Sequence, residues 1–129
     1  MKKSITRAVS FTATDTIFLS LPDSGDLTWR LINLKILSDD DVATHASNHY
    51  TLAFSGSDGS TAIGSWTSNS SGGAALTAGQ SYPITIASSL GGAGEVDASS
   101  NQSIKLVATK AGSAADFSGM ILAEFEAVS

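Results

Sequence analysis

The chain has 129 residues, a length typical of one domain with a single hydrophobic core, and we treat residues 1–129 as one domain. Only 15% of the residues are charged, against about 25% in an average globular protein. The net charge of −5 argues against nonspecific binding to nucleic acid or to an anionic membrane. Because the chain has no cysteine, disulfides, thiolate catalysis and metal sites with sulfur ligands are excluded.

The N-terminal residues are basic and lead into the first strand-like pattern. "MKKSITRAVSF" begins like a signal peptide, but Arg7 and Asp15 interrupt the apolar stretch that such a signal needs, so we expect no cleaved signal. Residues 1–12 are predicted to form an extended N-terminal arm or a first strand. The longest apolar-rich stretch, "LTWRLINLKIL", carries Arg30 and Lys35 and is too short to span a bilayer.

Apolar residues alternate with others through most of the chain, which is the period of half-buried β-strands. A helix over 27–37 is the main competing interpretation, but the β-branched and aromatic residues there favour a strand. Helical periodicity extends elsewhere to no more than a turn near 39–48. The predicted strands are 16–21, 28–37, 49–56, 61–68, 81–88, 103–110 and 119–128.

Turn chemistry separates these strands and predicts their arrangement. Asp58-Gly59 indicates a hairpin within residues 50–67, because both residues tolerate a positive φ. Pro83 cannot donate a backbone hydrogen bond, so its strand is expected at a sheet edge or to begin there. Seven or eight short strands in one domain predict an all-β fold, an antiparallel two-sheet β-sandwich with jelly-roll topology.

The predicted core follows from the rule that one face of each strand must be apolar. In strand 28–37 this rule turns Ile32 towards the core and leaves Trp29 and Leu31 on the opposite face. The full set of predicted core residues is Ile32, Leu34, Ile36, Leu52, Phe54, Ile84, Ile86, Leu106, Ile121 and Phe125.

Two histidines, His45 and His49, follow the acidic run Asp39–Asp41 and raise the question of a metal site. On a helix the two rings would share a face. However, His49 runs directly into the alternation that begins at Tyr50, and on an extended chain the two histidines lie roughly 13 Å apart. We therefore expect a loop that enters a strand, with no bound metal. The acidic run is expected to cap a helical turn or to form a solvated loop.

Glu124 and Glu126 are the best pair of carboxylates for acid–base chemistry, since on a strand they share a face about 6.6 Å apart. Ala123 and Phe125 alternate with them as an apolar face, so we interpret the pair as the solvated side of the last strand. The sequence has no nucleophile elbow and no complete dinucleotide or calcium motif. We therefore predict no enzyme activity and no catalytic, cofactor-binding or metal-binding residue.

Three residues remain as candidates for contact with a partner: Trp29, Trp66 and Asp58. The two tryptophans offer flat apolar surfaces on which a sugar can stack, although a tryptophan on a strand is more often part of a core or an interface. Asp58 belongs to the turn of the predicted hairpin.

Three stretches of the chain, within residues 15–128, together resemble small virion proteins of tailed bacteriophages. They are "ATHASNHYTLAFSGSDGSTAIGSWTS", "GQSYPITIAS" and "NQSIKLVATKAGSAADFSGMILAEFEAV". The chain departs from the pattern of that family at "VDASSNQSI", residues 96–104. The residues that carry the resemblance are His45, Asn48, Tyr50, Asp58-Gly59, Lys110, Gly112, Gly119 and Phe125.

The resemblance implies a head decoration (cement) protein, which sits on an assembled capsid and clamps neighbouring capsomers. The implied partners are the major capsid protein or another virion protein, and a homo-oligomer is expected, with a trimer favoured. The implied location is the virion, assembled in the host cytoplasm, with no nucleic-acid or membrane partner. The alternative is a carbohydrate-binding or receptor-binding module of a phage tail or head fibre.

Overall fold

The computed structural model describes residues 2–21, 28–56, 62–71, 75–86, 95–97 and 103–127. These ranges contain β-strands and no helix, and therefore none that could span a membrane. The helical interpretation of 27–37 is wrong, because 28–38 is a strand, and residues 39–48 form bends and isolated bridges instead of a helical turn. The strands are β1 (Lys2–Phe11), β2 (Asp15–Ser20), β3 (Thr28–Ser38), β4 (Tyr50–Gly56), β5 (Ala62–Thr67), β6 (Ser81–Pro83), β7 (Glu95–Asp97), β8 (Ser103–Lys110) and β9 (Phe117–Ala127).

The strands form two antiparallel sheets. The A sheet has the order β1-β9-β3-β6, with β7 also paired to β3, and the B sheet has the order β2-β8-β4-β5. β4 and β5 form a hairpin in the middle of the chain, and outward from it β3 pairs with β6, β2 with β8 and β1 with β9. This nesting is that of one long hairpin wrapped into two layers, as in a jelly roll. The predicted jelly-roll β-sandwich is confirmed.

The register of β3 corrects the predicted core. The pairing of β3 with β9 skips Ile32, so this residue is the extra one of a β-bulge. A bulge reverses the alternation, so Trp29 and Leu31 point inward before it, and Leu34 and Ile36 point inward after it. The prediction was right for Leu34 and Ile36. It was wrong for Trp29 and Leu31, which are buried, and for Ile32, which is only half-buried.

The rest of the core lies between the two sheets largely as predicted. Trp29 and Phe125 meet edge to face with ring centroids 6.5 Å apart, and Phe11 packs against Phe117 at 4.9 Å and against Tyr50 at 5.8 Å. Ile86 is half-buried against this core. The predicted core residues that are buried, besides Leu34 and Ile36, are Leu52, Phe54, Ile84, Leu106, Ile121 and Phe125.

The hairpin and edge predictions are confirmed within the described residues. β4 and β5 pair antiparallel across residues 51–67, with a register shift between Phe54 and Ser55. Their connection, including Asp58-Gly59, lies outside the described residues. β6 ends at Pro83 and stands at one edge of the A sheet, where a missing N–H costs no sheet hydrogen bond.

The two flanks of the sandwich are built differently. At one flank the chain leaves β6 and crosses from the A sheet towards β5 of the B sheet: the Ile84 N–H donates to the Leu34 carbonyl at 2.8 Å, and the Thr85 carbonyl lies against Gly64. We call this side, residues 81–86 with β5, the closed flank. At the other side β1 and β2 are the edge strands of the two sheets. We call this side the open flank.

Candidate interaction surfaces

The first histidine supports a loop at one end of the sandwich. His45 Nδ1 accepts hydrogen bonds from the N–H groups of Ser47 and Asn48, both at 3.0 Å, and the His45 N–H donates to the Asn69 carbonyl at 2.8 Å. His49 immediately precedes β4, as the loop-to-strand interpretation requires. Within the described part of the chain no three His, Asp or Glu side chains are grouped as metal ligands would be.

Two asparagines connect this loop to its neighbours. Asn48 Oδ1 accepts from the Ser113 N–H at 2.9 Å, and Asn69 Nδ2 donates to the carbonyls of Ala43 and Asn48 at 2.9 and 3.3 Å. Asn69 is buried at a φ of +26°, a region that asparagine tolerates better than most residues. Asn69 was not predicted as a functional residue, and its place beside "SSGG" in the sequence indicates only a turn.

A glycine completes the contact. Gly112 has a φ of +59°, and a Cβ at this position would collide with Asn48 Oδ1. Glycine is therefore favoured here by its backbone conformation, and a larger residue would displace the Asn48 side chain from its contact. We call His45, Asn48, Asn69 and Gly112 the loop brace. Three of these residues, His45, Asn48 and Gly112, also carry the virion-protein resemblance, and their contacts in the structure hold loops together.

The acidic run lies in a loop, the second of its two predicted interpretations, and it holds neighbouring loops in place instead of capping a helical turn. Asp40 Oδ2 accepts from the Ser118 N–H at 2.8 Å and from Ser118 Oγ at 3.3 Å, at the start of β9. Asp41 Oδ1 accepts from the Ala78 N–H at 2.8 Å. The carboxylates therefore satisfy backbone donors that are distant in sequence, a relation that local sequence does not reveal.

The three candidate contact residues separate in the structure. Trp29 has 0% of its surface exposed, because the bulge at Ile32 turns its strand segment inward, so it packs in the core and is not available for contact with a partner. Trp66 is half-buried, with its ring 6.0 Å from that of Tyr82. Asp58 lies outside the described residues.

The outer face of the A sheet has an apolar part, formed by half-buried side chains. Leu37 pairs with Met120, and in the next row Leu122 pairs with Lys35. On the edge strand β1, Ala8 pairs with Met120 and so extends the apolar row. We call Leu37, Met120 and Leu122 the apolar patch.

The same outer face is charged towards its other end. Glu126 stands between Lys2 of β1 and Arg30 of β3, and Glu124 shares its side of β9. Phe125 lies between the two acids in sequence and faces the core. The predicted alternation of an acidic outer side with an apolar inner side is thus observed, and Glu126 has basic neighbours on both adjacent strands.

The outer face of the B sheet has a different composition. Short polar and small apolar side chains dominate it, and Lys105, which pairs with Phe18, is the one charged residue in its rows among those described. One row runs across all four strands and consists of Thr16, Val107, Ala53 and Ser65. A second row runs across three strands and consists of Thr109, Thr51 and Thr67.

Tyr50 is one of the residues that carry the virion-protein resemblance, and its ring contributes to the core. It is fully buried, packs against Phe11 and Phe117, and its hydroxyl has no hydrogen-bond partner within the described residues. Burial raises the pKa of Tyr50 above its ordinary value of 10.0, and the nearby Asp116 carboxylate raises it further. The uncharged form is therefore favoured, and the residue serves the core.

Comparisons with known proteins give one structural neighbour to name. No family model matches the chain, and no curated protein matches it. The chain is similar to a solved structure described as "Structure of infectious bursal disease virus Gx strain", with 14% sequence identity and a TM-score of 0.38. The similarity covers 98% of this chain and 32% of that one, so this chain spans about a third of the length of its neighbour.

Proposed function

We propose that the protein is a noncatalytic virion structural protein of the head decoration type, which clamps neighbouring capsomers of a tailed-phage capsid. One observation carries the proposal: the polar residues that the sequence offers for chemistry, His45, Asp40 and Asp41, hold backbone amides in place. These residues stabilise loops and leave two broad sheet faces as the contact surfaces. The jelly roll, an architecture used in viral capsid and lectin domains, supports the same proposal.

The outer face of the A sheet is the proposed capsid contact. The apolar patch supplies area that is favourable to bury, and the alternating charges of Glu126, Lys2 and Arg30 supply orientation. Each copy adds a modest contact, and a symmetric homo-oligomer, with a trimer favoured, multiplies it at junctions of the shell. The proposed partner is the major capsid protein or another virion protein.

Co-sedimentation with capsids that lack the protein tests this proposal. We expect saturation at a number set by the shell's symmetry, binding to assembled shells that exceeds binding to isolated subunits, and retention at moderate salt. Leu122→Lys should abolish binding, whereas Ala53→Lys, a charge added to the exposed face of the B sheet, should not. Binding without saturation, or equal loss in both variants, contradicts the proposal.

The alternative of a glycan-binding fibre module is favoured by a single feature, the partly exposed Trp66 beside Tyr82. Because Trp29 is buried, a sugar that changes tryptophan fluorescence must act at Trp66. Titration with a sugar panel, with Trp66→Phe as the control, separates the two functions. A saturable change that disappears in Trp66→Phe, together with no capsid binding, would replace the decoration role.

A further inference from the structure

The open flank presents backbone groups for pairing. In the described part of the chain β1 pairs only with β9 and β2 only with β8, so each strand has one free edge. Along an edge strand, alternate residues direct their N–H and C=O groups away from the sheet. β1 is ten residues long, which makes it a template on which an extended segment of another protein can add as a strand.

A shallow groove of about 180 Å³ runs along this flank between the two sheets. Its apolar lining includes Ile5 of β1, which is half-buried against the core, and Leu19 of β2, and Phe18 of β2 borders it from the outer face of the B sheet. Phe18 is 48% exposed and is the one large hydrophobic side chain that is exposed among the residues described. The groove can therefore receive an apolar side chain from a strand that pairs with β1.

The charge of the flank is opposite to that of the whole protein. Lys3 and Arg7 lie on either side of Ile5 at alternate positions of β1, so they share its side of the strand. Both are exposed, and neither has an ion-pair partner among the described residues. No acidic residue lines the groove, although the net charge of the chain is −5.

From this geometry we propose that the open flank binds an extended acidic segment of a partner protein, which adds to β1 as a strand and places an apolar side chain beside Ile5 and Phe18. A second copy of this chain fits poorly. Antiparallel pairing of two β1 strands centred on Ile5 sets Lys3 opposite Arg7, and like charges directly opposite destabilise strand pairs. The inference stands whether or not the partner belongs to a virion.

Peptide binding tests this inference without any capsid, so its failure is distinct from failure of the decoration role. The probes are three fluorescent octapeptides. One, the Glu-Val peptide, carries Glu, Val and Glu at three successive alternate positions with Thr between them, so that the acids can face Lys3 and Arg7 while the valine faces Ile5. The second, the Lys-Val peptide, has Lys in place of each Glu, and the third is the Glu-Val peptide with every backbone amide N-methylated so that it cannot pair as a strand. We expect only the first to bind, with increased protection of β1 amides from hydrogen exchange and with affinity that falls as salt rises.

Charge variants complete the test. Lys3→Glu combined with Arg7→Glu should weaken binding of the Glu-Val peptide by about tenfold or more, because two attractions become repulsions. Lys35→Glu, a charge reversal on the outer face of the A sheet, should leave binding unchanged. Thermal unfolding of each variant verifies that it is folded. Equal binding of the Glu-Val and Lys-Val peptides, binding of the N-methylated peptide, no binding at all, or dimerisation of the native protein through β1 would each overturn the inference.

Discussion

Both flanks of this sandwich contain sheet edges whose backbone groups could pair with another chain, and the two flanks protect these edges in different ways. At the closed flank a segment of the chain itself covers the edge, since residues 81–86 pass from β3 to Gly64 and bring Ile84 into the core. At the open flank the edges of β1 and β2 carry Lys3, Arg7 and an exposed Phe18. Covering an edge adds to stability, whereas charging it prevents self-association and leaves it able to bind.

The largest expected difference between the flanks comes from truncating one phenylalanine on each side. Phe54 is 1% exposed and pairs with Gly64 of the closed flank, so Phe54→Ala should lower the free energy of unfolding by about 3–5 kcal/mol. Phe18→Ala at the open flank should lower it by about 1 kcal/mol or less, because 48% of the residue is already exposed to water. Chemical denaturation measures both, and equal losses would contradict the contrast.

A smaller effect is expected from adding one methyl group to the closed flank. The Cβ of Gly64→Ala would collide with the backbone carbonyl of Thr85, which cannot rotate away as a side chain can. We expect a loss of about 1–3 kcal/mol from this overpacking. Ser65→Ala, at an exposed site in the same strand, should stay within about 0.5 kcal/mol. If Gly64→Ala melts like the wild type, residues 81–86 do not pack tightly against β5.

High pH probes the core beside the end of β1, where Tyr50 packs on Phe11. The pKa of Tyr50 is raised in the folded protein by burial and by Asp116, so the folded state resists ionisation. The stabilisation that comes from this raised pKa is fully present below a pH of about 10, the pKa of the unfolded chain. It is lost as the pH rises from there to the folded pKa, by at most about 1.4 kcal/mol per pH unit. Tyr50→Phe should reduce this alkaline loss in denaturation curves; an unchanged slope would contradict it.

At neutral pH two hydroxyl deletions should differ by about 1 kcal/mol. The Tyr82 hydroxyl accepts from the Thr77 N–H at 2.7 Å and donates to the Ala75 carbonyl at 3.2 Å, so Tyr82→Phe should destabilise the closed flank. The Tyr50 hydroxyl has no partner within the described residues, so Tyr50→Phe should be neutral or stabilising. The reverse order in thermal melting would show that the closed flank does not depend on this contact.

The smallest effect on stability is expected at the open flank. Arg7→Glu removes an exposed charge without an ion-pair partner among the described residues, so the free energy of unfolding should change by less than about 0.5 kcal/mol. A loss much above 1 kcal/mol would show that Arg7 supports the fold, which would weaken its assignment to binding.

The fold class follows from short-range information in the sequence. The alternation in "TLAF" and "ILAEFEA" places Leu52, Phe54 and Phe125 in the core, because successive side chains of any strand point to opposite faces. Pro83 marks an edge because it lacks an N–H, whatever surrounds it. These properties belong to single residues or to neighbours along one strand, so no knowledge of distant contacts was needed.

Other features depend on residues that are far apart in sequence. The bulge at Ile32, which buries Trp29, exists only in the pairing of β3 with β9. Asp40 accepts hydrogen bonds from Ser118, and Gly112 packs directly against the side chain of Asn48. The difference between the flanks likewise arises because residues 81–86 run along one edge of the sandwich and contact strands of both sheets there. Local composition sets which face of a strand is apolar. The pairing register and the chain crossings are decided by the packed structure as a whole, because the favoured arrangement is the one that leaves the fewest backbone groups unpaired in the whole domain.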